Sequence, residues 1–409
     1  MDLHSGAPFW LLKAGLRSVT PPLASDKVSD VVIIGSGVTG AMLASRLARA
    51  GMRVIVLDRR DLATGSTMAS TALLMYELDV PLHTLRRRVG PVHADTAYRA
   101  GLDAIKLIRV AAKHAQVSCE RVPSVLFATS RTASEELHAE HAARRDAGID
   151  VSLLSARQLR KRWGVAAHLA IESRDAAMID PFAFTHGLLR DAVLHGALVH
   201  DRTAVTAVRS SAAHHTLTLS TGVSVRATHV IHATGYEAAT QLPPGLVQLS
   251  SSFAMITEPL PARCLPRAVL WQRADPYFYA RFADNRLLVG GEDEPFVNPA
   301  KRDALVATKA VALTRKLRRF LPDLAASMPL QPAFAWAGTF GTTPDGIGYI
   351  GEIPNRPRQY YALGFGGNGI TFAALASAII ADVIMGTTVT STQQRATFSF
   401  TRRQAKYAR

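Results

Sequence analysis

Three glycines and one aspartate near the start of the chain have the residue types and the spacing of a phosphate-binding turn. Gly35, Gly37 and Gly40 follow one apolar run, and Asp58 ends a second apolar run. In such a turn the first glycine bends the chain, the second lets the backbone approach a pyrophosphate, and the third lets a helix lie close to the strand. An acid about 20 residues onward suits an adenosine ribose. The spacing predicts a dinucleotide site; an ordinary strand–helix–strand unit with a glycine-rich turn is the alternative.

The elements that must position these residues are visible in the same segment. Val31–Ile34 and Val54–Leu57 are short apolar runs that predict buried strands, and the amphipathic stretch between them, which ends at Gly51, predicts a helix. The N-terminus of that helix would offer free N–H groups and a partial positive charge to phosphates.

A second glycine-rich loop lies near the C-terminus and also opens a helix. Tyr360–Leu363 predicts a short strand, residues 364–369 read GFGGNG, and Ile370–Met385 is an apolar stretch of helical length closed by Gly386. A flavin dinucleotide is long and needs phosphate contacts at one end and ring contacts at the other. Two glycine-rich helix starts that are far apart in sequence can meet its two halves, so we predict that the dinucleotide is FAD.

Seven pieces of the chain, taken in order, resemble the D-amino-acid oxidase-like family of FAD-dependent amine and amino-acid oxidoreductases, the group that includes glycine and sarcosine oxidases. They read VVIIGSGVTG…VIVLD, ATGSTMAST, VIHATG, ITEPLP, RLLVGGED, WAGTFGTTPDGIGYIG and LGFGGNGITFA. They span residues 30–386, and residues 1–29 lie outside the core of the resemblance. The resemblance implies an α/β fold in which a Rossmann-like FAD-binding domain is interleaved with a substrate domain built on an antiparallel sheet.

The interleaving implied by the resemblance divides the chain into five segments. The predicted FAD-binding domain comprises residues 1–116, 177–245 and 334–409, and the predicted substrate domain comprises residues 117–176 and 246–333.

The resemblance also implies which residues hold FAD. The first glycine turn and Asp58 would bind the ADP half, and a polar turn after it would approach the pyrophosphate and the ring edge. The second glycine loop would line the isoalloxazine, with the helix that follows pointing its N-terminus at the ring; a plain flexible loop is the alternative. The predicted residues are Gly35, Gly37, Val38, Thr39, Gly40, Asp58, Arg59, Arg60, Ser66, Thr67, Thr234, Gly235, Gly366, Gly367, Asn368, Gly369, Ile370 and Thr371.

The reaction implied by the resemblance is hydride transfer from an amine-bearing carbon to flavin N5, with oxygen or a quinone as the electron acceptor. Two substrate-binding positions of the family are not matched, however. Where relatives carry a carboxylate-binding Arg this chain has apolar sequence near Phe340, and where others carry a Lys it has Thr371. The region Trp336–Thr343 also lacks the Cys that holds flavin covalently in some relatives, so we predict noncovalent FAD.

Three residues are our candidates for holding the substrate, a small amine or amino acid. Glu77 follows the small-residue stretch and would receive a cationic amine; a salt bridge to Arg86–Arg88 is the alternative. Tyr279 and Arg281 share one face of a predicted strand with Tyr277. If that face looks at the flavin, Arg281 replaces the missing carboxylate clamp; a half-buried aromatic strand is the alternative.

Composition narrows the class of protein. With 409 residues, 48% of them hydrophobic, two domains are expected. No apolar run approaches the ~20 residues of a membrane span, and two cysteines, Cys119 and Cys264, suggest a reducing compartment. We predict a cytoplasmic protein without a bound metal, and its oligomeric state is left open.

The net charge of +15 has three readings. The Arg-rich composition is solvated surface, or it favours an anionic substrate or acidic partner, or it contacts nucleic acid. No nucleic-acid motif supports the last reading, so nucleic acid is not an expected partner. Two other functions nevertheless compete with amine oxidation: a flavin-dependent enzyme acting on a modified RNA base, and a flavoprotein subunit of an electron-transfer complex.

Overall fold

Two β-sheets and thirteen helices make up the part of the chain described by the computed structural model, residues 2–6, 8–14, 20–261 and 266–402. The strands are β1 (Lys27–Ile34), β2 (Val54–Leu57), β3 (Leu73–Leu74), β4 (Cys119–Ala128), β5 (Val151–Ser155), β6 (Leu169–Ile179), β7 (Leu198–His200), β8 (Val205–Ser210), β9 (His215–Leu219), β10 (Ser224–His232), β11 (Gln248–Thr257), β12 (Val269–Gln272), β13 (Phe278–Ala283), β14 (Arg286–Pro295), β15 (Pro332–Thr342), β16 (Tyr349–Ile353) and β17 (Arg356–Leu363).

The α-helices range from one turn to seven. They are α1 (Phe9–Ala14), α2 (Val38–Arg49), α3 (Ser66–Ala69), α4 (Leu82–Val89), α5 (Pro91–Ala115), α6 (Arg131–Asp146), α7 (Ala156–Trp163), α8 (Pro181–Leu194), α9 (Pro299–Ala304), α10 (Val306–Phe320), α11 (Pro322–Ser327), α12 (Gly369–Met385) and α13 (Thr392–Phe398).

The first sheet has the order β16-β17-β10-β1-β2-β7, with β9 paired to β10 and β8 paired to β9. Strands β17, β10, β1, β2 and β7 run parallel to one another. Helices α2, α5, α8 and α12 pack against each other beside this sheet, so their apolar residues and the strands form one core. Strand β10 pairs with β9 through residues 224–227 and with β1 through residues 225–232, so one unbroken strand joins the β8–β9 hairpin to the parallel part of the sheet.

The second sheet has the order β15-β11-β14-β13-β12-β4-β6-β3, with β5 paired to β6. All its pairs are antiparallel except β12 with β4. A parallel sheet covered by helices and a largely antiparallel sheet confirm the predicted fold class. The five-segment division stays a prediction, and two of its boundaries, at 176 and 333, fall inside β6 and β15.

Helix α12 is buried in the first core. By length and composition alone, residues 366–385 could cross a membrane, but 78% of their most apolar stretch is buried inside the protein. Gly386 ends the helix in the left-handed conformation, as its position in the sequence predicted. The carboxylate of Asp382 accepts hydrogen bonds from Thr387 and Thr390 just beyond that end.

The segment before β1 extends over the second sheet. Residues 2–6 and 8–14, which we call the N-terminal strap, dock on β15: Ser5 N–H donates to Ala337 O at 3.0 Å, and Thr339 N–H donates to Leu3 O at 2.9 Å. Trp10 lies farther along the strap, and its indole Nε1 donates to Ser70 O at 2.8 Å. A segment outside the family resemblance is thus part of the folded molecule.

Candidate cofactor and active site

One cavity of about 480 Å³ lies between the two sheets and reaches both glycine-rich loops. Of the residues predicted to hold FAD, those that line it are Gly35, Gly37, Val38, Thr39, Asp58, Arg59, Arg60, Ser66, Thr67, Thr234, Gly235, Gly366, Gly367, Asn368, Gly369 and Ile370. Gly40 and Thr371 are not among the lining residues.

The first glycine turn is packed too tightly for any side chain. Gly35 has a φ of +110°, and a Cβ there would lie 2.4 Å from Ala233 O. A Cβ on Gly40 would lie 1.9 Å from Gly35 O, so Gly40 shapes the turn from behind rather than lining the cavity. The first N–H of α2, on Val38, donates to Thr67 Oγ1 at 2.9 Å, which joins the turn to the polar segment after β2.

Asp58 is held at the carboxyl end of β2. Its Oδ2 accepts hydrogen bonds from Ser36 N and Ser36 Oγ, both at 2.7 Å, and its Oδ1 accepts from Arg60 N at 2.9 Å. The side chains of Arg59 and Arg60 both pair with Glu237, at 2.5 and 2.7 Å. This end of the cavity therefore has a fixed acid, Asp58, and two arginines that share one carboxylate.

The second glycine loop is fastened to the segment after β3. Asn368 Nδ2 donates to Glu77 O, and Thr371 Oγ1 donates to Met75 O at 3.0 Å. Gly367 N donates to Asp79 Oδ2 at 2.9 Å. The Thr371 hydroxyl is thus turned into the protein, toward Met75. This hydrogen bond does not favour the predicted contact of Thr371 with the isoalloxazine.

Three buried polar atoms along the cavity test whether a dinucleotide fits there. Ser66 Oγ, Thr234 Oγ1 and Asn368 Oδ1 have no hydrogen-bond partner in the described structure, and all three residues line the cavity. Leaving such atoms unsatisfied costs about 1–3 kcal/mol each. A ligand with polar groups along its whole length satisfies them, so the residues present fit FAD.

The inner end of the cavity is an aromatic chamber beneath the second sheet. Tyr277 and Tyr279 lie with ring centroids 5.7 Å apart, and Trp271 is paired with Tyr279 across β12 and β13. These three residues, with Trp336 and Phe340, line the cavity. The strand alternation therefore brings the two tyrosines to the cavity, as we predicted from their spacing.

Arg281 shares that strand face but does not reach the chamber. Its Nε donates to Thr71 O at 2.6 Å and its Nη2 donates to Ile179 O at 3.0 Å, and its guanidinium lies over the Trp10 ring at 5.2 Å. Burial lowers its pKa to about 10. Because its donors are committed to backbone carbonyls, the structure does not favour Arg281 as a carboxylate clamp.

Glu77 lies in the cavity wall, and its partner is Arg144 rather than Arg86–Arg88. Both side chains are 1% exposed, and Arg144 Nη1 lies 3.2 Å from Glu77 Oε1. Arg144 Nε also donates to Glu140 Oε1 at 2.7 Å. Arg144 was not predicted from the sequence. The four-residue spacing of Glu140 and Arg144 is visible there, but such a pair is typical of a solvated helix face.

The two acids of this buried network, Glu77 and Glu140, differ in their pKa. Arg144 favours the ionised form of Glu140 and holds its pKa at about 2, whereas burial outweighs the same attraction at Glu77 and raises its pKa. Glu77 Oε2 has no hydrogen-bond partner among the described atoms. The cavity wall thus presents one unsatisfied carboxylate oxygen.

Asp79 and Asp293 add two more acids near the tyrosines. Asp79 is exposed within the cavity, and the protein around it desolvates the carboxylate and raises its pKa. Burial raises the pKa of Asp293 to about 7, and its Oδ1 has no partner among the described residues. Neither acid was singled out from the sequence, because a lone Asp in a loop or strand gives no signal of what folds against it.

We expect Asp293→Asn to stabilise the protein at pH 8 by about 1–2 kcal/mol and to leave its stability at pH 4 unchanged. The folded-state pKa lies above the unfolded value, so ionisation resists folding, and the penalty grows as pH rises from about 4 to 7. Urea unfolding at the two pH values measures this, with the exposed Asp103→Asn as control. An equal effect at both pH values would contradict the shifted ionisation.

We expect the flavin to be released by acid denaturation, because neither a cysteine nor a histidine is among the described residues that line the cavity. The one described cysteine, Cys119, lies on β4, and burial raises the pKa of its thiol to about 11; Cys264 lies outside the described residues. The measurement is the partition of yellow colour between supernatant and precipitate after acid treatment. Colour that stays on the precipitated chain would show a covalent bond.

A phosphate-binding turn on a parallel sheet, a second glycine loop and an aromatic chamber on one cavity together define a flavin-dependent oxidoreductase. Comparison with known proteins agrees, because the model of the family described as "FAD dependent oxidoreductase" (DAO) matches residues 30–383. The chain therefore belongs to the DAO family of FAD-dependent oxidoreductases.

Three relatives illustrate the range of the family. The chain is 25% identical over 376 residues to a glycine oxidase of Geobacillus kaustophilus, covering 87% of this chain and 92% of that protein. It is 25% identical to the gamma-glutamylputrescine oxidoreductase of Escherichia coli, covering 87% and 84%. A putative Rieske 2Fe-2S iron-sulfur protein of Bacillus subtilis is 27% identical, but the match covers 49% of this chain and 39% of that protein.

Solved structures share the fold. The crystal structure of glycine oxidase from Geobacillus kaustophilus superimposes with a TM-score of 0.76 at 21% identity, covering 92% of this chain and 99% of that one.

Proposed function

We propose that the protein oxidises a small amine or amino acid at the carbon that bears the nitrogen. When bound, FAD would accept the hydride from that carbon, leaving an imine that water hydrolyses. The observation that carries the proposal is the shared cavity, which joins the phosphate-binding turn to a chamber walled by Tyr277, Tyr279 and Trp271.

The chain's own contribution is to position the substrate and to exclude water from the C–H bond. The aromatic residues give the chamber rigid apolar walls, and the second sheet closes it from above. Carboxylate oxygens of Glu77 and Asp79 at the wall can receive a nitrogen that carries protons. No described residue of the chamber is a nucleophile activated by a neighbouring base, and hydride transfer needs none.

The relatives support an amine-bearing carbon as the reaction centre. The names of the glycine oxidase and the gamma-glutamylputrescine oxidoreductase both specify a substrate that contains nitrogen. The test is anaerobic reduction of the bound flavin, followed by its visible absorption, across amines and amino acids of both configurations. Reoxidation by oxygen or by a quinone then identifies the acceptor. Flavin that stays oxidised with every compound would end the proposal.

A second candidate function is a flavoprotein subunit of an electron-transfer complex. The match to a putative Rieske iron-sulfur protein favours it, because an iron–sulfur cluster accepts single electrons from a reduced flavin. Purification from the native cell under mild conditions tests it. A stoichiometric redox partner, with turnover only in its presence, would support this candidate, and full turnover by the isolated chain would exclude it.

A further inference from the structure

Each guanidinium group that lines the cavity is paired with a neighbouring carboxylate, although Arg59 and Arg60 share one. Arg59 and Arg60 pair with Glu237, and Arg144 pairs with Glu140 and Glu77. Arg273 Nε donates to Glu136 Oε2 at 2.7 Å. The surplus positive charge of Arg59 and Arg60 lies at the end of the cavity beside Asp58, and among the described residues that line the chamber end no cation is left for a substrate carboxylate.

The acids at the inner end of the cavity outnumber the cations beside them, because Arg144 alone is paired with both Glu77 and Glu140. Asp79 is bonded through Gly367 N–H, a neutral donor, and no cation among the described residues contributes to its ionisation. Glu77 is 1% exposed, and its Oε2 has no partner, although the residue lines the cavity. Asp293 is a further acid close to Tyr277, and burial raises its pKa. An acid that the surrounding protein desolvates, and whose charge no cation balances, requires either a proton or a bound cation.

The aromatic walls have the same preference. Tyr277 and Tyr279 stand close together, and Tyr277 Oη lies 3.6 Å from the position that a Cβ on Gly367 would occupy. The faces of aromatic rings attract cations. The chamber therefore combines surplus negative charge with surfaces that favour an ammonium group.

We infer that the substrate is a small amine that binds as a cation and carries no carboxylate, with Asp79 and Glu77 receiving its ammonium group. One of these carboxylates takes a proton from the ammonium group, so that the neutral amine is the species that would give up hydride. This inference rests on the proposed function and narrows it. A carboxylate in the chamber would share it with Asp79 and Glu77 and would find no free guanidinium there, and like charges repel strongly in a desolvated site.

Matched pairs of compounds test the inference. Each amino acid is compared with the amine that lacks its carboxylate: phenylalanine with phenethylamine, lysine with cadaverine, valine with isobutylamine. Two concentrations are measured for each compound. One gives half of the maximal change in the spectrum of the oxidised flavin, and the other reduces half of the flavin in the absence of oxygen. The amines are expected to act at concentrations about tenfold or more below those of their parent amino acids.

Asp79→Asn sharpens the test, because an amide oxygen can still accept from Gly367 N–H while the charge is gone. The variant is expected to weaken amine binding about tenfold or more. The control variant, Asp150→Asn, alters an exposed acid and is expected to bind amines as the unaltered chain does. Amino acids that perturb and reduce the flavin better than their amines, with Asp79→Asn improving them, would overturn the inference and leave the proposed function intact. No perturbation or reduction by either series would remove both.

The N-terminal strap reaches the cofactor cavity directly. Leu3 is 4% exposed and lines the cavity, and His4 Nε2 lies 3.1 Å from Thr64 O. Asp2 O accepts from Arg302 Nη1 at 3.0 Å, and Lys13 pairs with Asp180 and Asp284. The strap is therefore fixed at both ends.

Its middle supports the polar turn predicted to hold FAD. Trp10 donates to Ser70 O, and Trp336, in the same apolar cluster, donates to Ala69 O at 2.9 Å. Leu3 Cδ1 would lie 3.7 Å from a Cβ on Gly65, just before Ser66. We propose that the strap retains FAD by holding residues 64–71 against the cofactor.

Deletion of residues 2–14 from the full chain is the first test, with circular dichroism to show that the remainder is folded. FAD fluorescence after dilution gives the release rate, which is expected to rise about tenfold or more. Ser5→Pro, which removes the donor to Ala337 O and the hydroxyl that accepts from Ala337 N, is the second variant, and Leu12→Ser on the exposed side of the strap is the control. A release rate unchanged in both the deletion and Ser5→Pro would overturn the proposal.

Discussion

Gly40→Ala is expected to yield a protein that loses most of its FAD on purification and whose free energy of unfolding falls by about 1–3 kcal/mol. The new Cβ would lie 1.9 Å from Gly35 O and 3.3 Å from Ile33 Cγ2. A backbone carbonyl cannot rotate away as a flexible side chain does, so the helix must shift from the turn. That shift moves the N–H groups predicted to meet the pyrophosphate.

Gly51→Ala is the matched control at the other end of the same helix. Gly51 has a φ of +83° but nothing within 4 Å of the position of a Cβ, so the change costs about 1 kcal/mol of backbone strain. Urea unfolding and titration of the apoprotein with FAD measure the two effects. An alanine at position 40 that leaves the FAD dissociation constant within twofold would show that the close helix–turn contact is not needed for binding.

Arg144→Met is expected to lower the free energy of unfolding by about 3–5 kcal/mol at neutral pH, because it leaves Glu77 and Glu140 buried without their cation. Arg145→Met, one residue along the same helix, removes an Arg that is 57% exposed and pairs with Asp150 at 3.4 Å. Its expected effect is about 0–1 kcal/mol. Comparing the two variants separates the effect of removing a buried charge from the effect of replacing any arginine in this helix by methionine.

The free energy of unfolding lost in Arg144→Met should depend on pH, and the direction of the change can be predicted. Arg144 holds the pKa of Glu140 at about 2, below the value in an unfolded chain, so the stabilisation is present above about pH 4.3 and disappears as pH falls toward 2. The difference between Arg144→Met and the unaltered chain is therefore expected to shrink in acid. A difference that is constant from pH 7 to pH 3 would assign the loss to packing of Arg144 against Tyr76 and Tyr98.

Elements with a local signal were predictable from the sequence. Helix α8, Pro181–Leu194, carries its start signal in the sequence, because Asp180 caps it and Pro181 occupies its first turn. Helix α12 and its glycine terminator were read equally well. Strands β6 and β15 were missed as strands, since LAIESRDAAMI and PAFAWAGTFGT are rich in alanine and glycine, and their pairing partners lie far away in sequence.

The site followed the same rule. Spacing in the sequence is enough to predict the glycine turn, Asp58 and the second glycine loop. The roles of Arg144 and Asp79 depend on chain segments that fold against them from elsewhere in the sequence. Arg281 shows the limit of strand alternation, which fixes the face on which a side chain lies but not its position along the cavity. Tyr279, two residues away, lines the chamber, while Arg281 ends beneath Trp10.

The docking of the strap on β15 sets an order for assembly on the ribosome. Ser5 and its partner Ala337 are 332 residues apart, so the strap leaves the exit tunnel long before the strand that receives it. Contacts of such separation form late and slowly. During translation the strap therefore stays undocked until β15 has been made, by which time the first glycine turn and strands β1–β14 have already been synthesised.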